Sequence, residues 1–148
     1  MDDKSDVAIF ISYAWGGPLE KKEWIRHHIV NSLSGKYPVF WDRDTIGFGE
    51  SIDECIHKAL LHRPIKVFCI CDADYLRAAK IVGSGLHREL QILEKISQDD
   101  QVKIIPLIFE QGCNQDLPVP LAGRAYLNLV ELHNRNLFLG NAMYVLAE

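Results

Sequence analysis

Five short apolar stretches, separated by longer segments of helical periodicity, constrain this chain most. They are Val7–Ile11, Tyr37–Trp41, Val67–Cys71, Lys103–Phe109 and Tyr126–Leu129. Apolar runs without polar alternation fit strands buried on both faces. Strands joined through helices fit a parallel sheet covered on both sides. Trp24, Ile25, His28, Ile29 and Leu33 recur at helical spacing between Pro18, which can open a helix, and Gly35, which stops one. His28 is expected to be a partly buried packing residue. Ile52, Cys55, Ile56, Ala59 and Leu60 form a second stripe that ends before Pro64. Leu86, Leu90, Leu93 and Ile96 form a third, and a last helix is predicted from Glu131 to the end. Pro106 cannot donate a ladder hydrogen bond, which places its strand near an edge or at a bulge.

A chain of 148 residues fits a single domain, 1–148, around one sizeable core. It ends at Val145–Glu148 inside an apparently helical segment without a stop signal, as expected of a domain excised from a longer multidomain protein. The net charge is −4 and no basic tract stands out, which disfavours direct nucleic-acid binding. No apolar run is long enough to cross a bilayer, and Met1-Asp2-Asp3-Lys4 does not begin a signal peptide. Of the cysteines, Cys69 and Cys71 alternate within a strand and should face one side as small buried thiols. Cys55 and Cys113 complete the set without zinc-ligand spacing. The expectation is a cytoplasmic domain with free thiols, no metal and no membrane contact.

In a parallel sheet of this kind, ligands bind beyond the carboxyl ends of the strands. The residues leaving the strands are Ser12, Tyr13, Trp15, Trp41, Asp42, Arg43, Asp44, Asp72, Asp74 and Tyr75. The stretch Val39–Ser51 passes from a strand into a glycine-rich loop in which Gly47 and Gly49 flank Phe48. Ser51 and Glu54 then have capping-box spacing and predict a helix start. One residue breaks its local pattern. On a wheel at about 100° per residue, Glu89 falls inside the apolar arc of Leu86, Leu90, Leu93 and Ile96, and it is the charged residue there. A carboxylate on a core-facing stripe costs several kcal/mol unless it is paired or opens into a pocket. Glu89 is therefore either half of a buried salt bridge, with Arg43 or Arg77 as partner, or part of a site.

These residues also carry a resemblance. Ile9–Ala14 (IFISYA) resembles the opening of the Toll/interleukin-1 receptor (TIR) domain family. Val39–Ser51 resembles the BB loop of that family, with Trp41-Asp42 and the ending Gly49-Glu50-Ser51. Ser84–Leu90 (SGLHREL) resembles the helix segment that carries the catalytic Glu of the NAD-cleaving, bacterial-type members. Ile104-Ile105-Pro106 matches the family pattern of the fourth strand.

The resemblance implies a flavodoxin-like three-layer α/β fold with a five-stranded parallel sheet. It also implies an NAD+ nucleosidase that cleaves the nicotinamide–ribose bond, giving nicotinamide and ADP-ribose or a cyclic ADP-ribose product. NAD+ is then the substrate, and no cofactor is needed. Because the leaving group is a pyridinium, one carboxylate suffices, unlike the pair that divides the work in ordinary glycoside hydrolysis. Glu89 would hold the ribose or stabilise the oxocarbenium-like transition state. Ser12, Tyr13, Trp41, Asp42, Arg43 and Ser84 would contact substrate, with Trp41 stacking on a base and Arg43 on phosphate. Asp44, Ile46, Gly47, Phe48 and Gly49 would mediate assembly, because this loop closes over a neighbour's site in related domains. The implied partners are NAD+, further copies in a filament or higher oligomer, and a fused sensor domain in a signalling or antiviral defence protein.

Gly85 departs from the pattern: NAD-cleaving members often carry Trp four residues before the catalytic Glu. The alternative is a non-enzymatic TIR adaptor that signals by TIR–TIR association. A phosphoacceptor receiver domain shares the sheet topology but needs an acidic pair after the first strand, where this chain has Ser12-Tyr13.

Overall fold

Every strand of the sheet runs parallel to its neighbours. The computed structural model describes residues 8–14, 18–41, 49–99 and 101–135. The strands are β1 (Ile9–Ser12), β2 (Val39–Phe40), β3 (Lys66–Cys71), β4 (Lys103–Ile108) and β5 (Leu127–Asn128), in the order β2-β1-β3-β4-β5. The helices are α1 (Leu19–Ile25), α2 (Asn31–Ser34), α3 (Ile52–Leu61), α4 (Ala73–Ala79), α5 (Gly85–Ile96) and α6 (Val130–Asn134). A π-helical turn, Arg26–Val30, joins α1 to α2. The expected α/β architecture is observed. The edge strands are shorter than the apolar runs suggest, with two residues each in β2 and β5. Of the predicted last helix, Val130–Asn134 is described. Val7 lies outside the described residues.

Side-chain alternation sorts the core into two layers. Phe10, Phe40, Val67, Cys69 and Cys71 point to one face, under Leu60 of α3, Tyr75 of α4 and Leu86, Leu90, Leu93 and Ile96 of α5. Ile9, Ile11, Trp41, Phe68 and Ile70 point to the other, under Trp24, Ile25, Ile29 and Leu33. Phe10 and Phe40 stack across β1 and β2 with ring centroids 4.9 Å apart. Burying one such side chain is worth about 1.5–3 kcal/mol. Cys69 and Cys71 share a face as the alternation predicts, and all four cysteines are free. His28 is half-buried and packs against Trp24, with ring centroids 4.6 Å apart.

Pro106 sits in β4, next to the edge strand. The amides of Lys103 and Phe109 donate to the carbonyls of Ile65, just before β3, and Cys71, at its end, so odd-numbered β4 positions face β3 and Pro106 faces the β5 side. Pairing with β5 begins only at Leu107, so the missing N–H leaves no gap in a ladder. Helix α4 is not apparent in the sequence. Asp72, Asp74 and Tyr75 read as the exit of a strand, but Asp72 is an N-cap whose Oδ1 accepts from the Tyr75 amide at 2.8 Å. The stretch is short and alanine-rich, and it lacks the repeated apolar spacing that marks a longer helix. Ser51 caps α3 as expected, accepting from the Glu54 amide at 3.3 Å. No helix among the described residues is long and apolar enough to cross a membrane.

Candidate active site

The strand order reverses at β1, whose following connection leads to β2 on one side while β3 lies on the other. Crevices form at such switch points, beyond the carboxyl ends of the strands. Ser12 is the last residue of β1 and pairs in register with Cys69 of β3. A cleft of about 260 Å³ opens there, lined by Tyr13, Ala14, Ile56, Ala78, Ser84, Gly85, Leu86 and Glu89.

Glu89 enters the cleft from α5. The helix buries Leu86, Leu90, Leu93 and Ile96, and the same face carries Glu89, which is 7% exposed. The sequence wheel therefore places it correctly. Ser12 Oγ donates to Glu89 Oε1, and Tyr75 Oη lies 2.8 Å from the same Ser12 oxygen. A serine hydroxyl carries one proton, so Tyr75 is the donor in the second bond. The Cys69 thiol lies on the same core face as Tyr75. Burial pushes Cys69 up to about 12. Burial, with the nearby Cys69, Cys71 and Glu89, pushes Tyr75 well above the ordinary phenol range. Both groups stay protonated at neutral pH, and Tyr75 serves as the donor to Ser12. Arg77 pairs with Asp74 at 2.8 Å on the surface, so it is not the salt-bridge partner of Glu89.

The other expected site residues separate into three groups. Tyr13 lines the cleft, and Trp41 stacks on it with centroids 4.3 Å apart. Trp41 itself is 1% exposed, packs with the opposite core layer and does not line the cleft. In this position it backs the ring of Tyr13. Ser84 is the N-cap of α5, where its hydroxyl accepts from the His87 amide at 3.0 Å and donates to Ala78 O at 2.8 Å. Asp42, Arg43, Asp44, Ile46, Gly47 and Phe48 lie outside the described residues. Gly49 has φ = +87°, a left-handed conformation in which a side chain would be strained.

One charged cluster near the site escapes the sequence reading. Lys21 of α1 is 8% exposed, and its Nζ lies 2.9 Å from Asp72 Oδ2 and 3.1 Å from Glu110 Oε1. Burial works against the Lys21 charge, but the two carboxylates outweigh it and raise Lys21 above its ordinary value. Glu110 is held below the ordinary carboxylate range, because the Ala73 amide and Lys21 outweigh its desolvation. Asp72 thus caps α4 with one oxygen and takes Lys21 with the other. The signal was present in the sequence: Lys21, Trp24, Ile25 and His28 share one helical stripe, as Glu89 shares its own.

A family model described as TIR domain matches residues 9–138. No curated protein sequence matches the chain. Among solved structures, the TIR domain of the Toll-related receptor TRR-2 from Hydra magnipapillata is similar, with a TM-score of 0.59 and 19% sequence identity. The match covers 88% of this chain and 94% of that one, and it supports the fold alone. The family match over most of the length, together with the strand order and the layers, leads to one conclusion: the chain belongs to the TIR domain family.

Proposed function

We propose that this TIR domain is an NAD+ nucleosidase, with Glu89 as its catalytic carboxylate. The observation that carries the reading is a carboxylate on the apolar face of α5, 7% exposed, at a cleft on the switch point of the sheet. An anion in a partly dry site stabilises a developing oxocarbenium charge far better than it would in water. The pyridinium leaves without a proton, so no second carboxylate is needed. Water or an internal nucleophile of the substrate then takes the anomeric carbon, giving ADP-ribose or a cyclic product. The direct test incubates concentrated protein with NAD+ and follows nicotinamide release, with products identified by mass. No release at any protein concentration would rule the reading out.

A second reading, the adaptor that only associates with other TIR domains, is favoured by the size of the cleft. About 260 Å³ lies below the roughly 300–1,000 Å³ usual for ligand pockets. It suits the nicotinamide riboside end of NAD+ and leaves the adenosine end outside. In the enzymatic reading a neighbouring copy completes the pocket through the Val39–Ser51 loop. Phe48→Asp is then expected to suppress assembly and turnover together, while Glu89→Ala still assembles. Mixing the two inactive variants should restore part of the activity, measured by nicotinamide release alongside light scattering. Specific activity that stays flat over a hundredfold dilution of a monomer would exclude assembly control.

Gly85 provides a separate test. A Cβ built there meets nothing within 4 Å, and the residue begins α5 without a positive φ. Gly85→Trp should therefore fold with a melting temperature equal to the parent's or slightly higher, as Trp is the better helix former. If the cleft takes the nicotinamide riboside end, the new ring should lower KM about tenfold, in line with stacking on an aromatic. An unchanged KM would show that substrate does not reach that wall.

A further inference from the structure

Ser12 and Tyr75 lie at the site, yet neither is placed to touch a ligand. Ser12 is 1% exposed and Tyr75 is fully buried. The proton of Ser12 goes to Glu89, and its oxygen receives the proton of Tyr75. We infer that Tyr75 and Ser12 form a donor relay that positions the Glu89 carboxylate and holds it anionic, and that neither is a substrate-binding residue. This rests on the reading of Glu89 as the catalytic carboxylate.

The direction of the relay follows from its parts. An ionised carboxylate only accepts, so Ser12 must donate to it. With its hydrogen committed, Ser12 leaves Tyr75 a lone pair and no proton. Donation from Tyr75 makes the serine oxygen more negative and its remaining proton a better donor to Glu89, the cooperative effect expected of a chain of hydrogen bonds in a dry interior. The order also fixes geometry. Ser12 ends β1, Tyr75 sits in the first turn of α4 and Glu89 lies in the middle of α5, so one chain of hydroxyls ties three elements to one carboxylate. Among the described residues, the titratable groups around Glu89 include Tyr75 from α4, Cys69 from β3 and Tyr13 from the end of β1. Burial keeps Tyr75 and Cys69 protonated far above the carboxylate range. A proton taken up in that range therefore belongs to neither Tyr75 nor Cys69.

The test uses the whole chain with Tyr75→Phe, Ser12→Ala and the double variant. Tyr75→Phe keeps the ring and its packing, so the fold should survive, and near-UV circular dichroism checks this. Two readouts are taken. The first needs no substrate: the Glu89 carboxyl is titrated by carbon-13 NMR, assigned by its loss in Glu89→Gln. Its midpoint should rise by about one pH unit in Ser12→Ala and by less in Tyr75→Phe. The second is kinetic: kcat should fall about tenfold in Tyr75→Phe, the scale of one buried hydrogen bond, with KM nearly unchanged. In the Ser12→Ala background, Tyr75→Phe should add little, because a relay cut at its middle gains nothing from its far end. Additive losses, a rise in KM at constant kcat, or an unmoved midpoint in both single variants would overturn the relay. If the parent protein cleaves no NAD+ yet the midpoint moves as expected, the enzymatic reading fails and the relay stands.

Discussion

Glu89→Gln is expected to reduce nicotinamide release by about a thousandfold or more while the melting temperature stays within a few degrees of the parent's. The size follows from what is lost. Removing a single aligned donor from a preorganised charge-stabilising site costs about 10²–10³ in turnover, and here the full charge opposite the developing cation disappears. The small effect on stability follows from what is kept. Glutamine matches the shape of glutamate, and its carbonyl oxygen still accepts from the Ser12 hydroxyl. The face it shares with Leu86, Leu90, Leu93 and Ile96 stays packed. Turnover and thermal unfolding measured on the same preparation separate the two roles of a buried carboxylate. Retained turnover would remove Glu89 from the mechanism. A loss of several kcal/mol would identify it as half of a structural ion pair, since breaking a buried pair costs about 3–5 kcal/mol.

Glu89 was legible in the sequence because helical periodicity is a strong signal over three turns, and a charge inside an apolar arc stands out against it. The layers of the sheet were legible for a related reason: unbroken apolar runs such as that of β3 fit only a strand covered on both faces. Two kinds of feature were not. Helix α4 is set by one side chain, Asp72, that turns the backbone through a hydrogen bond three residues on, and seven residues are too few for periodicity to appear. The position of Trp41 was hidden too. An aromatic at a strand end suits a ligand platform and a core equally well, and the choice depends on which face of the sheet its neighbours occupy. Ser12 illustrates the same limit. Its place at the end of β1 made it a candidate, but whether its proton goes to a ligand or to Glu89 is decided by residues 63 and 77 positions away.

Lys21→Met is expected to destabilise the fold by about 3–5 kcal/mol, the cost of leaving a buried carboxylate without its partner. For a domain of this size, that is a fall of about 10 °C in melting temperature. Methionine keeps most of the apolar stem of lysine, so the loss reports the charge rather than packing. Asp72 carries the effect: its side chain is 5% exposed, and one oxygen would remain buried without the cation. Glu110→Gln should cost much less, about 0–1 kcal/mol, because that side chain is 41% exposed and water screens it. The pH dependence has a definite sign at each end. Lys21 is raised above its ordinary 10.5, so its contribution is complete below that value and is lost as pH rises through the folded value. Glu110 is lowered below 4.5, so its contribution is complete above that value and is lost as pH falls through the folded one. In Lys21→Met the alkaline loss should vanish from a plot of stability against pH, while an unchanged alkaline limb would mean that another group titrates there. The consequence reaches the candidate site. Lys21 holds Asp72, Asp72 caps α4 through the Tyr75 amide, and the Tyr75 hydroxyl points to Ser12 and through it to Glu89. If that line of contacts positions the carboxylate, Lys21→Met should lower kcat at a temperature where the variant is still fully folded, with KM little changed. Full activity in the folded variant would confine the Lys21 cluster to stability and leave the relay anchored by the packing of α4 alone.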